Sequence, residues 1–495
     1  MKIARLLVSA AHKSSGKTTI ALGLCAAFTA QGLRVQPFKK GPDYIDPMWL
    51  ARAARRDCFN LDAYLMQDET LAHCFGAALV DADLAIVEGN KGLYDGLALD
   101  GSNSNAALAM RLRLPVLLVL DARGMTRGIA PLILGYQAFE PGIRIGGVIL
   151  NRLGGSRHEA KLRAVIEHYT DVPVLGAVAE DERLALTERH LGLMPCAEVD
   201  DVAARIDAIG RAVAAQVDLQ RVRALAASAD DWGGESGATA DGGGTRVVAP
   251  LRAPPARHGA SRGRVLRIAI ARDRAFGFYY PDDLRALEAA GAQLVAFDTL
   301  HDAALPPAID GLFIGGGFPE TCLDALQANV ALRAAIRDAL AAGLPAYAEC
   351  GGLMYLARSI TWRGRTAQMV GAIPGDAVMH DRPQGRGYVH LRETAAMPWP
   401  AAGPGPAHGA ALRCHEFHHS SLANLDPDVA FAYRVERGHG IDGENDGIVR
   451  GNLLASYAHL RSAGGTHWAP RFIAFARAWR DRRPARSKPA QMHAA

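Results

Sequence analysis

Several features that would assign this chain to a specialised class of protein are missing from its sequence. The 495 residues contain no long apolar run, which excludes a transmembrane helix, since such a helix needs about 20 apolar residues. The formal net charge is only +4, which argues against a dedicated nucleic-acid binder. The seven cysteines include no CxxC pair, so neither a disulfide framework nor a zinc knuckle is predicted. We expect a cytoplasmic protein with no membrane or nucleic-acid partner.

What the sequence does contain is two α/β patterns separated by a segment of small residues. Residues 228–263 are dense in Gly, Ser, Ala and Pro and lack apolar periodicity, which predicts a flexible linker. On both sides, short β-branched runs alternate with helical patterns, which indicates parallel sheets covered by helices. We therefore expect α/β domains over 1–227 and 264–480, with a disordered tail over 481–495.

The individual elements can be predicted from hydrophobic periodicity. In the first half, we expect buried strands at 4–10, 84–89, 115–121 and 145–151, and helices at 18–32 and 159–169. In the second half, we expect strands at 266–273, 292–298, 311–317 and 345–352.

The segment "AHKSSGKTTI" (11–20) has the end of a phosphate-binding loop between a predicted strand and a predicted helix. Gly16 gives the backbone close access to phosphate, Lys17 offsets charge, and the Thr18 hydroxyl is suited to Mg²⁺. Thr19 continues the loop into the helix. Ala11 stands where the usual pattern has its first glycine, which weakens the match but leaves the anion-binding chemistry intact. We expect an ATP site here.

The segment "KKGPDYIDP" (39–47) follows, and its Gly and two Pro predict a loop. Lys39 and Lys40 could meet a phosphate or a substrate carboxylate, and Asp43 could bind a metal. Asp46 adds a second acid, which a turn alone does not need. A solvated turn is the alternative for this segment taken by itself.

Two further polar groups are expected at the carboxyl ends of parallel strands, where ligands bind in such sheets. Glu88 ends the strand at 84–89, and Asn151 ends the strand at 145–151. Thr18, Asp43 and Glu88 would supply the oxygen ligands that Mg²⁺ prefers. Asn151 would either contact the base of the nucleotide or cap a turn.

In the second half, "YAECGGL" places Cys350 at a strand-to-helix turn with two glycines after it. A nucleophile elbow needs this arrangement, because the turn exposes the thiol and the helix N-terminus lowers its pKa. Gly316 and Gly317 of "GGGFPE" could offer backbone N–H groups as an oxyanion hole. His459 is the candidate general base. The alternatives are the histidines of "CHEFHHSS", which we interpret as a substrate-proximal loop rather than a zinc site: His415, His418 and His419.

The order of these motifs resembles that of the cobyrinic acid a,c-diamide synthase family. The motifs that carry the resemblance are the phosphate loop, "KGPDYIDP", "EGNKGLYDG", "RHLGLMP", "GGGFPE", "AECGGLMYL" and "SYAHL". The resemblance implies an N-terminal P-loop domain similar to dethiobiotin synthetase. It also implies a C-terminal domain like the class I glutamine amidotransferases.

The resemblance implies a glutamine-dependent ligase with two sites. Cys350 and His459 would release ammonia from glutamine, and MgATP would phosphorylate the a and c acetate side chains of a corrinoid polycarboxylate. Residues implied to contact that substrate are Lys39, Lys40, Asp46 and Lys91. The ring could be cobyrinate, hydrogenobyrinate or nickel-sirohydrochlorin, and cobyric acid synthase is a related alternative. A regulatory P-loop ATPase with a sensor domain is the alternative of another class, and a homodimer stays open.

Two positions depart from related patterns. Ordinary class I glutaminases have a His-x-Glu pair, whereas His459 is followed by Leu460 and Arg461, which leaves open what orients the imidazole. Deviant phosphate-loop enzymes carry a signature lysine five residues before the loop lysine, where this chain has His12. Lys13 is one place off, so a dimer-sharing mechanism like theirs is not expected.

Overall fold

The computed structural model describes residues 3–181, 184, 186, 188–189, 192–231, 265–400 and 411–482. The chain divides into two compact units, Met1–Arg257 and His258–Ala495. Residues 232–263 of the predicted linker and 483–495 of the predicted tail lie outside the described part. Among the described helices, none has both the length and the apolar character needed to cross a bilayer.

The first unit contains nine strands within its described residues: β1 (Ala4–Ala10), β2 (Val35–Lys40), β3 (Phe59–Leu61), β4 (Leu84–Glu88), β5 (Val116–Asp121), β6 (Ile145–Leu153), β7 (Val174–Ala179), β8 (Glu188–Arg189) and β9 (Gly192–Leu193). The helices described for the same unit are α1 (Lys17–Ala30), α2 (Ile45–Ala54), α3 (Asp68–Ala78), α4 (Asn105–Leu112), α5 (Ile129–Phe139), α6 (Ser156–Tyr169), α7 (Val202–Gln216) and α8 (Leu219–Ala227).

Strands β1 to β7 form one parallel sheet in the order β3-β2-β4-β1-β5-β6-β7. Its central strands are buried along nearly their whole length, which fits a sheet covered on both faces. Parallel strands bring their carboxyl ends to one edge, so the loops after β1, β2 and β4 meet there. The predicted α/β architecture is confirmed.

The segment "KKGPDYIDP" is not the loop that we expected. Lys39 and Lys40 are the last residues of β2, which pairs with β4 and places Lys39 opposite Glu88. Helix α2 begins at Ile45. Pro47 lies in the first turn of that helix, where its missing N–H costs nothing, so it does not signal a loop. Only residues 41–44 form the turn.

The second unit contains fifteen strands within its described residues: β10 (Leu266–Ala271), β11 (Phe276–Phe278), β12 (Ala292–Phe297), β13 (Gly311–Ile314), β14 (Gly316–Gly317), β15 (Ala346–Glu349), β16 (Ser359–Trp362), β17 (Arg365–Gln368), β18 (Asp376–Met379), β19 (Gly385–Glu393), β20 (Leu412–His418), β21 (Ser420–Ala423), β22 (Ala430–Arg437), β23 (Asn445–Arg450) and β24 (Leu453–Ser456). Its described helices are α9 (Pro281–Ala289), α10 (Leu323–Ala328), α11 (Val330–Ala341), α12 (Gly351–Leu356) and α13 (Trp468–Arg482).

A mixed sheet in the order β12-β10-β13-β15-β24-β23-β22-β19-β20 organises this unit. The half from β12 to β24 is parallel and contains the strands that we predicted, except that those expected at 311–317 and 345–352 end at Ile314 and Glu349. The half from β23 to β20 is antiparallel and was not predicted. Because β15 and β24 are parallel neighbours, the residues that follow them, Cys350 and Tyr457, emerge at the same edge.

Candidate active sites

The phosphate loop of the first unit connects β1 to α1 and is shaped by Gly16. This residue has a φ of +88°, a conformation that residues with a Cβ rarely adopt. A Cβ at Gly16 would lie 2.1 Å from the side-chain nitrogen of Asn151. That nitrogen donates to the Ser15 carbonyl at 2.9 Å. Asn151 therefore supports the phosphate loop, and its contact with the base of the nucleotide stays a prediction.

A cluster of carboxylates surrounds one buried ammonium group beside this loop. Lys39 Nζ lies 2.5 Å from Asp46, 3.1 Å from Glu88 and 3.8 Å from Asp43, and its side chain is only 2 % exposed. Thr18, in the first turn of α1, donates its hydroxyl proton to Glu88 at 2.5 Å. The structure thus brings Thr18, Asp43, Asp46 and Glu88 together around Lys39.

The charges in this cluster depend on one another. Burial disfavours the charged form of Lys39, but Asp46, Glu88 and Asp43 outweigh it and raise the pKa of that ammonium. Burial raises the pKa of Glu88, partly offset by Lys39. Burial and the neighbouring Asp46 raise the pKa of Asp43 to about 7. Burial lowers the pKa of Lys17, and the nearby Lys39 adds to that effect.

The remaining lysines of the predicted set have two different environments. Lys40 is buried and donates to the carbonyl and the side chain of Asn103 at 2.5 and 2.9 Å. It also donates to the side chain of Asn90 at 3.1 Å, and burial lowers its pKa to about 8. Lys91 is exposed, with a φ of +42°. Lys91 is therefore open to a ligand, whereas Lys40 joins two loops.

The donor set at the carboxyl edge of the sheet fits Mg²⁺. Glu88 is fully buried, and its second carboxylate oxygen has no hydrogen-bond partner among the described residues. Asp43 uses one oxygen to accept from the N–H groups of Ile45 and Asp46 at the start of α2. Mg²⁺ prefers oxygen ligands and accepts one or two carboxylates together with phosphate. Thr18 and Glu88 offer this kind of incomplete ligand set.

Asn105 organises the neighbouring loop, and sequence reasoning missed it. Its side chain donates to the carbonyls of Asn90 and Gly92 and accepts from the Asn90 N–H. A Cβ at Gly92 would lie 2.6 Å from the Ala11 carbonyl, so only glycine lets this loop approach the phosphate loop. The residue types in "EGNKGLYDG" predict a loop, but the side chain that holds this loop, Asn105, lies at the start of α4.

In the second unit, Cys350 stands between β15 and α12 with φ +48° and ψ −103°. Such strained backbone occurs at nucleophile elbows. The two glycines that follow are sterically required. A Cβ at Gly351 would lie 2.8 Å from the Gly317 carbonyl, and one at Gly352 would lie 2.2 Å from the Ile314 carbonyl. The predicted elbow is present, and the thiol lies 3.9 Å from the Phe417 carbonyl.

His459 follows β24 and contacts the thiol of Cys350. Its Nδ1 lies 3.3 Å from one oxygen of Glu349, the residue that precedes the nucleophile. Burial disfavours its charged form, but hydrogen bonds with Cys350 and Glu349 outweigh burial and raise the pKa of His459 to about 10. The site therefore favours the imidazolium form of His459 next to Cys350.

Gly316 and Gly317 lie against this pair. A Cβ at Gly316 would lie 2.9 Å from the His459 ring. A Cβ at Gly351, directly after Cys350, would lie 2.9 Å from the Gly317 nitrogen. These glycines form the short strand β14, paired with β11. Their backbone is thus close enough to the elbow to serve as an oxyanion hole, which stays a prediction.

The other histidines of this unit do not assemble a metal site. Within the described ranges, no group of three or more His, Cys, Asp or Glu residues is arranged to hold a metal ion. The ring of His415 stacks on that of His459 with centroids 4.8 Å apart. The ring of His418 stacks on Tyr457 at 3.9 Å, and His419 contacts the His380 carbonyl at 3.2 Å. The segment is not the loop that we expected, because His415 and His418 lie on β20 and β21 begins at Ser420, directly after His419.

Comparisons with known proteins agree with this division. Residues 7–193 match the CobQ/CobB/MinD/ParA nucleotide binding domain, and residues 267–465 match the CobB/CobQ-like glutamine amidotransferase domain. The chain is 45 % identical to cobyrinate a,c-diamide synthase of Magnetococcus marinus, over 97 % of this chain and 98 % of that protein. It is 40 % identical to the protein of the same name from Methanosarcina acetivorans, over 92 % of both chains.

These similarities extend over both units and over nearly the full length of the relatives. With both domains matched in the same order, the chain belongs to the cobyrinate a,c-diamide synthase family.

Proposed function

We propose that this chain is a glutamine- and ATP-dependent amide ligase that amidates the a and c acetate carboxylates of cobyrinate or hydrogenobyrinate in cobalamin biosynthesis. The observation that carries the proposal is the Cys350 elbow in contact with His459, in a chain that also has a phosphate loop facing buried acids. A thiol–imidazole pair can release ammonia from the side-chain amide of glutamine. ATP bound at a phosphate loop can supply the free energy to form a new amide bond.

The second unit would perform the hydrolysis of glutamine. The Cys350 thiolate attacks the side-chain amide carbon, and the developing oxyanion is met by N–H groups near Gly316 and Gly317. The His459 imidazolium gives its proton to the leaving nitrogen, so ammonia departs and a thioester remains. Water, deprotonated by His459, then cleaves the thioester to glutamate and the free thiol.

The first unit would activate the carboxylate. A carboxylate resists attack by ammonia, whereas an acyl phosphate has a good leaving group. The substrate oxygen attacks the γ-phosphorus of ATP and ADP departs, and ammonia then displaces phosphate to leave the amide. Lys17 and the loop N–H groups hold the phosphates. Mg²⁺, bound by Thr18 and Glu88 with Asp43 close by, would offset charge on the transferring phosphoryl group.

The ring and its contacts form the finer part of the proposal. The relatives' name supports a cobyrinate-type ring over nickel-sirohydrochlorin and over the substrate of cobyric acid synthase. Exposed Lys91 is suited to a peripheral carboxylate of the ring. The other three residues of the predicted set would stabilise the shape of the site, because each already binds a neighbouring side chain: Lys39, Lys40 and Asp46. A cytoplasmic location and a homodimer remain predictions.

The test compares nitrogen donors in the wild type and Cys350→Ser. With ATP, Mg²⁺ and cobyrinate, hydrogenobyrinate or nickel-sirohydrochlorin, we expect wild type to form amides from glutamine or ammonia on one of the first two rings. Cys350→Ser should lose the glutamine reaction by at least about 10³-fold and keep the ammonia reaction. Hydrolysis of ATP without amide formation from either donor would instead favour a regulatory ATPase.

A further inference from the structure

At the position where ordinary class I glutaminases have a glutamate, this chain has an arginine, whose guanidinium cannot accept a hydrogen bond from the His459 imidazole. Arg461 stands there, and its guanidinium lies 3.0 Å from Asp282 and 4.6 Å above the Tyr280 ring. The imidazole must therefore be held in register by another group, because a histidine that acts as acid and base needs a fixed tautomer and orientation.

Glu349 is placed to fix that orientation. It is the last residue of β15 and is 3 % exposed. One carboxylate oxygen accepts from the Tyr347 hydroxyl at 2.5 Å and from the Leu460 N–H at 2.9 Å. The other lies 3.3 Å from His459 Nδ1. Both oxygens of Glu349 therefore have partners, and one of them accepts a hydrogen bond from the backbone N–H of Leu460, the residue after His459.

The placement follows from the topology. Glu349 and Ser456 are partners across the parallel strands β15 and β24, and the Cys350 N–H donates to the Ser456 carbonyl at 2.8 Å. The chain then carries His459 over the end of β15. A carboxylate at Nδ1 requires hydrogen on that nitrogen, which leaves Nε2 to exchange a proton with the thiol.

We propose that Glu349 is the positioning residue of the glutaminase, so that the triad carboxylate comes from the residue before the nucleophile and not from a residue after the histidine. This role rests on the proposed hydrolysis of glutamine. Its physical content is separate, however: Glu349 keeps the neutral imidazole of His459 in the Nδ1–H form and stabilises the imidazolium.

The experiment compares Glu349→Gln with wild type in two assays. Glutaminase kcat should fall by about 10³ to 10⁴-fold, as expected when a triad carboxylate becomes an amide. The pH profile of Cys350 alkylation by iodoacetamide, measured from pH 5 to 10, should differ between the variant and wild type, because the charge of the neighbouring His459 affects the reactivity of the thiol and depends on Glu349. Alkylation needs neither ATP nor corrinoid, so it remains informative even if the proposed ligase activity fails.

The matched control is Glu393→Gln, which removes a carboxylate that pairs with Arg471 at 2.5 Å in the same unit. It should lower the unfolding midpoint without moving the alkylation profile. Glu349→Asp should recover part of the lost kcat. Loss of kcat in Glu349→Gln with an unchanged alkylation profile, or a loss below about 3-fold, would overturn the proposal.

A measurement on wild type covers the case in which the variant does not fold. Protein labelled with ¹⁵N-histidine, compared with His459→Asn to assign the signal and titrated to a pH at which the His459 imidazole is neutral, should show a proton on Nδ1 and none on Nε2. A proton on Nε2 alone would contradict the role of Glu349.

Discussion

The side chain of Lys39 shows how far a single residue can depart from the behaviour of its type. Lysine is rarely buried, yet here its ammonium lies among Asp46, Glu88 and Asp43 with almost no exposure. From the sequence, we expected Lys39 to lie in a loop and to meet a phosphate or a substrate carboxylate. Only the pairing of β2 with β4 places Lys39 opposite Glu88, and no local pattern contains that information.

Removing the Lys39 ammonium should therefore destabilise the first unit. Lys39→Met leaves the largely buried carboxylates of Asp46 and Glu88 without their ammonium partner, which should lower stability by about 3–5 kcal/mol. The free energy of unfolding, measured by urea denaturation, should fall by that amount. Lys91→Met, which changes an exposed lysine on a nearby loop, should change it by less than about 0.5 kcal/mol. Equal effects of the two substitutions would contradict the buried cluster.

The raised pKa of His459 makes a prediction about pH. The folded chain holds the His459 proton more tightly than the unfolded chain, whose pKa is 6.5, so this group stabilises the fold fully below pH 6.5. That contribution is lost as pH rises towards about 10. The stability difference between wild type and His459→Asn should therefore shrink between pH 6.5 and 10, as followed by denaturant unfolding. A difference that grows over this range would contradict the raised pKa of His459.

At the scale of the elements, the two strand-to-helix turns could be predicted from the sequence. Strand β2 beside the first turn and the contact of Glu349 with His459 beside the second could not. Hydrophobic runs that end in "SSGKT" and "AECGG" carry their own signals, and both turns form where expected. Strand β2 was missed because "VQPFKK" contains Pro37 and two lysines. Glu349 lies within the motif "AECGG", but its contact with His459 joins residues that are 110 positions apart in the sequence. Contacts of that range arise from strand order alone.

The phosphate loop gives a prediction at this scale. Gly16→Ala would force a Cβ towards Asn151 at a φ of +88°, so the loop must shift, and we expect ATP affinity to fall at least about 10-fold. Gly32→Ala is the control, because Gly32 has a φ of +86° at the other end of α1 with nothing within 4 Å of its Cβ. It should cost about 1–2 kcal/mol of stability and leave affinity unchanged. Isothermal titration with ATP distinguishes the two variants, and equal affinities would refute the argument.

At the scale of the whole molecule, the two chemistries belong to separate compact units with separate sheets. Each site should therefore survive loss of the other. Lys17→Ala should abolish amide formation, because it removes the charge that meets the phosphates, while glutamine hydrolysis by Cys350 should continue within about 3-fold of wild type. A glutamate-release assay without corrinoid checks this. Complete loss of hydrolysis would mean that the units depend on each other for their chemistry.

The proposed reaction of the first unit converts a carboxylate of the corrinoid into an acyl phosphate. The most direct measurement uses the accepted corrinoid with ¹⁸O in its a and c carboxylates, together with ATP and glutamine. We expect one ¹⁸O in inorganic phosphate for each amide formed, since the substrate oxygen leaves with the phosphoryl group. Phosphate free of ¹⁸O, with amides formed at the normal rate, would contradict it.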